Sequence, residues 1–167
     1  MLKLAREQGL DAATVGALTD AAGVNRSTFY QHYADKETLL ADALDAELNL
    51  VAVNHPPTAP GDPDVIPADL YAYLEHVKEH VDIYRRLLGD HWSAVVMSRL
   101  NARMNSIITE SLRQSPEQPF GGMPLDVAAA GIAGASMGVV AAWISRDPLP
   151  PVDEAAVWVW RVLKGNG

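Results

Sequence analysis

The stretch GVNRSTFYQHYADKETLL, residues 23–40, decides how the chain is interpreted. It starts at a glycine turn and then gathers arginine, serine, threonine, tyrosine, glutamine and histidine in a short run. Most of these side chains are uncharged, and several can donate a hydrogen bond. A buried helix has no need of them, and a merely solvated helix is more often built from Glu and Lys. The stretch therefore predicts a surface that meets a polar partner.

Glycines and capping side chains divide the sequence around this stretch into short helices. Thr14, Asn25 and Asp35 are good N-caps, and Gly9 and Gly23 are suited to helix C-termini. The predicted helices cover residues 2–8, 15–22, 26–32 and 36–53. Two short helices joined by a glycine turn and followed by a third have the spacing of a helix-turn-helix unit.

The helix that follows Asn25 has the side chains of a recognition helix. Arg26 can pair with guanine through two hydrogen bonds, and the methyl group of Thr28 can contact thymine. Hydroxyl, amide and imidazole groups further along can bind phosphate oxygens, which fixes the register on the duplex. Thr14 and Lys36 each start a helix, where free backbone N–H groups help to hold a phosphate. The predicted DNA-binding residues are Thr14, Asn25, Arg26, Ser27, Thr28, Tyr30, Gln31, His32 and Lys36.

The charge balance argues against a broad basic surface. The 167 residues carry a formal net charge of −8, and residues 1–45 hold four basic and seven acidic side chains. Binding to DNA would therefore depend on a few well-placed groups and on helix N-termini. The simpler alternative is that these polar residues are caps and solvated side chains on a small helical bundle. The lack of cysteine fits a reducing cytoplasm, and charges near Met1 argue against a secretion signal.

Residues 9–44 resemble the DNA-binding domain of the TetR/AcrR family of transcriptional regulators. The resemblance is carried by Gly9, Thr14, the motif AAGV at 21–24 and the motif STFYQHYADKETLL at 27–40. It implies a homodimer whose two recognition helices enter successive major grooves of a near-palindromic operator. It also implies that Phe29 faces inward, that Tyr33 mostly packs, and that the polar residues around them face DNA. The family's first helix usually starts about ten residues earlier with basic residues, whereas Met1 falls inside that helix here. Either the true start lies upstream, or the protein binds DNA with fewer phosphate contacts and a thinner core, for which a weak affinity with a modest salt dependence is expected.

The rest of the chain predicts further helices separated by proline-rich loops. Five prolines lie within residues 54–67, where no helix can continue. No long stretch alternates with the period of a strand, so the predicted fold is all-α, with a helix-turn-helix domain over residues 1–50 and a C-terminal helical-bundle domain over 51–167. The predicted C-terminal helices cover residues 68–88, 91–114, 125–145 and 153–163.

Residues 127–144 contain no charged side chain and could be taken for a membrane span. Alanine and glycine dominate the stretch, and small residues such as Gly131, Gly134 and Gly138 allow another helix to approach closely. A buried helix of a bundle is the better interpretation, and no membrane partner is expected. The C-terminal half loosely resembles that of many TetR/AcrR members, which implies a four-helix dimer interface formed by residues 125–145 and 153–164 of each subunit, with Trp158 and Trp160 beside it.

The motif HVKEH at residues 76–80 matches the H-x-x-E-H pattern of some zinc peptidases. Three fixed positions match easily by accident, so no catalytic residue, metal ligand or cofactor is predicted. The two histidines instead join a set of large or adaptable side chains that could surround a small organic effector. The predicted effector-binding residues are Tyr73, His76, His80, Tyr84, Trp92, Met97, Met104, Met137 and Trp143.

The function predicted from the sequence is that of a ligand-responsive DNA-binding regulator in the cytoplasm, a repressor released from its operator by a small molecule. Two alternatives stay open. One is a helical enzyme that uses zinc held by His76, Glu79 and His80. The other is a regulator-like protein that no longer binds DNA and serves as a ligand-binding or interaction module.

Overall fold

The computed structural model describes residues 1–55, 65–88, 93–114 and 122–164. These residues fold into nine helices and no strand, which confirms the all-α prediction. The helices are α1 Leu2–Gln8, α2 Val15–Ala22, α3 Arg26–His32, α4 Lys36–Asn54, α5 Ala68–Glu79, α6 Val81–Leu88, α7 Ala94–Gln114, α8 Leu125–Ile144 and α9 Val152–Leu163. Most of the proline-rich loop, the start of the helix predicted over 91–114 and most of the 115–124 loop lie outside the described residues.

The first four helices begin and end within one residue of the predicted positions. The side chains of Thr14, Asn25 and Asp35 each accept a hydrogen bond from the backbone three residues on, which satisfies a free N–H group of the helix that follows. Gly9 and Gly23 have positive φ angles of 85° and 67°, a region that favours glycine. Local signals therefore account for the boundaries of this part of the chain.

The helix predicted over residues 68–88 is wrong in one respect, because the structure divides it into two. α5 ends at Glu79, and α6 starts at Val81. His80 between them is the C-cap residue of α5, with φ and ψ of −114° and 27° that are not helical. Ile83 and Leu87 of α6 are buried, as are Leu74 and Val77 of α5.

One hydrophobic core joins the N-terminal helices to the C-terminal ones. α1 packs against α4 and α6, and α4 packs against α5 and α7. α8 packs against α6, α7 and α9, while α9 also contacts α5. The largest of the fully buried side chains are those of Leu44, Leu87, Val96, Ser136, Trp143 and Ile144. α4 is therefore the element that leads from the helix-turn-helix unit into the middle of the remaining helices.

α8 is long and apolar enough to cross a membrane by length and composition, with a mean hydropathy of 1.8. Core helices meet the same criteria, and α8 has three helical neighbours. Only 39% of its most apolar window is buried, however, which leaves one face uncovered in a single chain. That face carries small residues at helical spacing, which include Val127, Ala130, Gly131, Gly134, Ala135 and Gly138.

Candidate nucleic-acid interface

α2 and α3 form a compact pair that presents α3 on the surface. The turn between them is closed by Gly23, whose N–H binds the carbonyl of Asp20, and by Val24, whose N–H binds the carbonyl of Thr19. Thr19 is itself buried, and its hydroxyl donates to the carbonyls of Val15 and Gly16. These bonds fix the angle at which α3 leaves α2.

The first turn of α3 is organised by Asn25. Its Oδ1 accepts from the backbone N–H of Thr28 at 2.8 Å, from the hydroxyl of Ser27 at 2.6 Å and from the hydroxyl of Thr28 at 3.0 Å. The hydroxyls of Ser27 and Thr28 each keep acceptor capacity, because each uses its single hydrogen in the cap. The N-terminus of α3 is therefore held rigidly while it stays open to a partner.

The long side chains of α3 divide into one that is buried and others that face outward. Phe29 is 6% exposed, which confirms its inward orientation, and the half-buried ring of Tyr33 lies 5.7 Å from it. Tyr30 is 59% exposed and rests edge-on against Phe29 at 5.3 Å. Arg26 is also exposed and lies along α2, since a Cβ at Gly16 would come within 2.9 Å of its guanidinium. Arg26, Tyr30, Gln31 and His32 thus share one accessible helix.

The other two predicted contacts lie at neighbouring helix N-termini. Thr14 is exposed, and its Oγ1 accepts the N–H of Ala17 at the start of α2. Lys36 starts α4 and is half-buried, where it lines a cleft of about 230 Å³ between the N-terminal helices and α6. Asp11, Glu37 and Arg86 also line this cleft. Lys36 is therefore close to carboxylates, unlike the more open Arg26.

Asp35 supplies a fixed negative charge beside Lys36. Its carboxylate accepts from the hydroxyl and the N–H of Thr38, and these two hydrogen bonds lower its pKa below the ordinary value. Asp35 therefore stays ionised at neutral pH. The surface around α3 carries well-placed donors within an acidic setting, as the composition indicated.

The family comparison matches the part of the chain that builds this surface. The family model described as "Bacterial regulatory proteins, tetR family" matches residues 2–43. The N-terminal domain belongs to the TetR family. It gives the chain the DNA-binding domain of a transcriptional regulator, and α2 and α3 are its helix-turn-helix. No curated protein and no solved structure matches the chain.

The family match ends within α4, so it does not extend to the predicted effector-binding residues. The structure brings three of these together in the interior: His76, His80 and Tyr84 are all buried, and the ring centroids of the two histidines are 4.8 Å apart. The ring of Tyr84 stands edge-on to His76 at 5.9 Å, with its hydroxyl 3.1 Å from His76 Nε2. These three form a polar cluster inside the helical bundle.

The remaining predicted effector-binding residues are dispersed. Trp143 is fully buried, and its indole N–H donates to the carbonyl of Pro150 at 2.9 Å, so it closes the turn between α8 and α9. Met104 packs against a smaller cluster formed by α7 and α8. Tyr73, Met97 and Met137 pack around the main core. Trp92 lies outside the described residues, and none of the others lines the cleft beside Lys36.

Sequence reasoning missed Glu47, the residue that completes the polar cluster. Its Oε2 lies 2.8 Å from Nε2 of His80 and 3.7 Å from Nδ1 of His76. The zinc hypothesis named Glu79 as the carboxylate ligand, and this residue is wrong. Glu79 is exposed, and the carboxylate beside the two histidines is that of Glu47. A signal was present, since Glu47 falls between Leu44 and Leu48 on the buried side of α4.

Proposed function

We propose that this TetR-family chain is a ligand-responsive repressor that binds a near-palindromic operator as a homodimer. One observation carries the DNA-binding part: α3 is presented on the surface with Arg26 and Tyr30 exposed, while Phe29 anchors it from beneath. The predicted contacts at Thr14, Asn25, Ser27, Thr28, Gln31, His32 and Lys36 surround the same helix. The setting of its function is the cytoplasm, where bacterial DNA is found.

The uncovered face of α8 supports the homodimer. Gly131, Gly134 and Gly138 have open space around the position of a Cβ, so a second helix can approach their backbone closely. Trp158 and Trp160 of α9 are half-buried, and Trp158 has the guanidinium of Arg146 5.0 Å above its ring. Residues 125–145 and 153–164 of two chains would form the proposed four-helix interface.

The ligand response would act through α4. This helix starts at Lys36, beside the recognition helix, and packs against α5 and α7 in the remainder of the chain. A ligand that binds better to one orientation of α4 shifts the population toward that orientation, and a clean switch needs a preference of about 5.5 kcal/mol. The cleft beside Lys36 and the bundle around Tyr73, His76 and Tyr84 are the two places where a ligand would meet this helix.

Selection of DNA from a random duplex library tests the operator prediction. We expect the purified chain to enrich an inverted repeat, because two equivalent recognition helices related by a two-fold axis bind equivalent half-sites. A hydroxyl-radical footprint on the selected duplex should show protection that is symmetric about its centre. Enrichment of an unrelated asymmetric site would contradict the homodimer, and no enrichment at all would favour the module that has lost DNA binding.

A further inference from the structure

The cluster formed by Glu47, His76 and His80 has the composition of a metal site. One ligand atom from each residue lies within 4.8 Å of the others. Imidazole nitrogen and carboxylate oxygen bind divalent transition metals at about 2.0–2.2 Å, which places the ligand atoms of a tetrahedral site roughly 3.4 Å apart. The distances of 2.8 and 3.7 Å from Glu47 Oε2 to the two histidines lie on either side of that value, and all three ligand atoms lie within 4.8 Å of one another. An ion would therefore draw these atoms together from separations near those of a metal site.

The donor atoms of the cluster suit a cation. Each imidazole can offer one nitrogen lone pair, and Glu47 offers a carboxylate oxygen. Nδ1 of His76 is too far from Glu47 for a hydrogen bond, whereas Nε2 lies 3.1 Å from the hydroxyl of Tyr84. In the tautomer that carries the ring proton on Nε2, His76 would donate to Tyr84 and present the lone pair of Nδ1 to an ion beside Glu47.

Tyr84 then has the position of an outer-shell partner. Histidines that bind metals usually donate their second ring N–H to an oxygen, which fixes the tautomer and the ring orientation. The hydroxyl oxygen of Tyr84 lies 3.1 Å from His76 Nε2 and can accept such a hydrogen bond when the ring proton is on that nitrogen. Tyr84 would then hold the ring of His76 in its orientation toward Glu47.

One carboxylate serves two buried imidazoles in this cluster. Glu47 Oε2 lies 2.8 Å from His80 Nε2, whereas His76 Nδ1, at 3.7 Å, is beyond hydrogen-bond distance. An ion between these three atoms would contact both histidines, and the ring proton of His80 would then lie on its buried Nδ1. The charge of Glu47 also attracts a cation, while the nearby positive charge of Arg103 is engaged by Asn49 Oδ1 and the carbonyl of Leu48.

We propose that Glu47, His76 and His80 bind a divalent first-row transition ion, with Zn²⁺ and Co²⁺ as suitable probes. The two-nitrogen, one-oxygen set favours these ions over Mg²⁺ and Ca²⁺, which prefer oxygen ligands. The side chain of Glu47 is 41% exposed, so an ion can enter from solvent and water can complete its coordination. The ligand atoms would be Glu47 Oε2, His76 Nδ1 and His80 Nε2.

The position of the site suggests that the ion regulates DNA binding, an inference that rests on the proposed function as a DNA-binding repressor. Glu47 belongs to α4. His76 belongs to α5, and His80 is the C-cap residue of α5. An ion bound to all three ties α4 to α5 and favours one orientation of the helix that follows the recognition helix. DNA affinity and metal affinity are then linked, and each changes the other by the same factor.

Metal titration of the full-length chain, freed of metal by a chelator that is then removed, tests the site. We expect one Zn²⁺ per chain by calorimetry and visible absorption bands with Co²⁺ from a low-symmetry site. Glu47→Gln and His80→Asn should abolish this binding, and Tyr84→Phe should weaken it about tenfold or more through its outer-shell role. Glu75→Gln on α5 and His55→Asn after α4 are matched controls at exposed positions, and they should bind as the parent chain does.

Two results would overturn the site. One is a parent chain that binds no Zn²⁺ and gives no Co²⁺ bands. The other is binding that persists in Glu47→Gln and His80→Asn, which would assign the ion to other residues. Circular dichroism of each variant separates loss of ligands from loss of folding, and the spectrum of the parent chain with Co²⁺ is decisive even if a variant fails to fold.

The regulatory role is tested on the selected duplex with and without Zn²⁺. We expect a change in DNA affinity of about fivefold or more in the parent chain, as is typical of coupled sites, and none in Glu47→Gln. Metal binding with unchanged DNA affinity would overturn the regulatory role. Failure of the proposed function would differ, because the chain would then bind no duplex either with or without Zn²⁺.

Discussion

At the scale of single residues, Asn25 serves two purposes that substitution can separate. Its Oδ1 accepts three hydrogen bonds at the start of α3. The same residue lies at the end of α3 that is predicted to contact the major groove of DNA. A carboxylate at this position would keep the cap, since aspartate and asparagine are equally good N-caps. It would also place a negative charge against the DNA.

We therefore expect Asn25→Ala to lower the free energy of unfolding by about 1 kcal/mol, and Asn25→Asp to leave it nearly unchanged. Asn25→Asp should nevertheless bind DNA more weakly than the parent chain, because its charge repels phosphate. Urea unfolding and DNA titration of both variants check this. Asn25→Asp with full DNA affinity would contradict the placement of this helix end at the duplex.

Residue-scale reasoning from the sequence succeeds where the signal is local. Thr14, Asn25 and Asp35 were predicted as caps because a cap needs only its own side chain and the backbone three residues on. Glu47 was missed because its partners lie about thirty residues away on another helix. A carboxylate between buried leucines of a helix indicates that a polar side chain must pair with it. Only the fold determines which side chain that is.

At the scale of elements, the end of α8 is held by a side chain from α6. Arg85 Nε donates to the carbonyl of Ile144 at 2.6 Å, and its second nitrogen donates to the carbonyl of Arg146 at 3.0 Å. Helix C-termini leave carbonyls without partners, and a cation there also interacts favourably with the helix dipole. Arg85 thus connects the α5–α6 part of the fold to the proposed dimerisation helix.

We expect Arg85→Ala to destabilise the fold by about 1.5–3 kcal/mol, since it removes two hydrogen bonds from a charged donor. Arg113→Ala is the control, because the contact of Arg113 within the described part of the chain is an exposed ion pair with Glu110, of a kind that contributes about 0–1 kcal/mol. Denaturant midpoints of the two variants measure the difference. Equal midpoints would show that the contact with α8 contributes little.

The break between α5 and α6 shows why element boundaries are only partly predictable. No glycine or proline interrupts residues 68–88, and the apolar spacing is compatible with one helix. The break occurs at His80, whose ring is buried against Glu47 of α4. Tertiary contacts of this kind override local propensity, and a single sequence gives no sign of them.

At the scale of the whole molecule, the uncovered face of α8 leads to a prediction about assembly. Gly134→Leu adds a side chain where a single chain has open space, and leucine is a better helix former than glycine by up to about 1 kcal/mol. The monomer should therefore fold at least as well as the parent. The proposed dimer should dissociate, because the added side chain keeps the two copies of α8 apart.

Sedimentation equilibrium of Gly134→Leu and of Ala46→Leu, a control on an exposed face of α4, checks this prediction. The expected result is a monomeric Gly134→Leu chain with reduced DNA affinity and a dimeric control. A Gly134→Leu dimer as tight as the parent would place the subunit interface elsewhere.

The acidic charge of the whole chain predicts a shallow salt dependence of DNA binding. If Arg26 and Lys36 of two chains displace the counterions, a plot of log affinity against log salt should have a slope of about −4. Lys36→Gln should reduce that slope by about one per chain, and Lys78→Gln, whose lysine pairs with Glu75, should leave it unchanged. A slope near −10 for the parent would reveal a much larger basic surface.

The most direct test of the central claim is the affinity of the selected duplex for Arg26→Ala and Tyr30→Ala, with Arg113→Ala as the control. If α3 lies in the major groove, Arg26→Ala should weaken binding by about 1–3 kcal/mol and Tyr30→Ala by about 0.5–1.5 kcal/mol. Both side chains are exposed, but Tyr30 contacts Phe29 and Arg26 lies along α2, so thermal unfolding of each variant checks that lost affinity is not lost folding. Unchanged affinity in both variants would contradict the account, because the surface built by residues 25–36 would then not be the one that meets DNA.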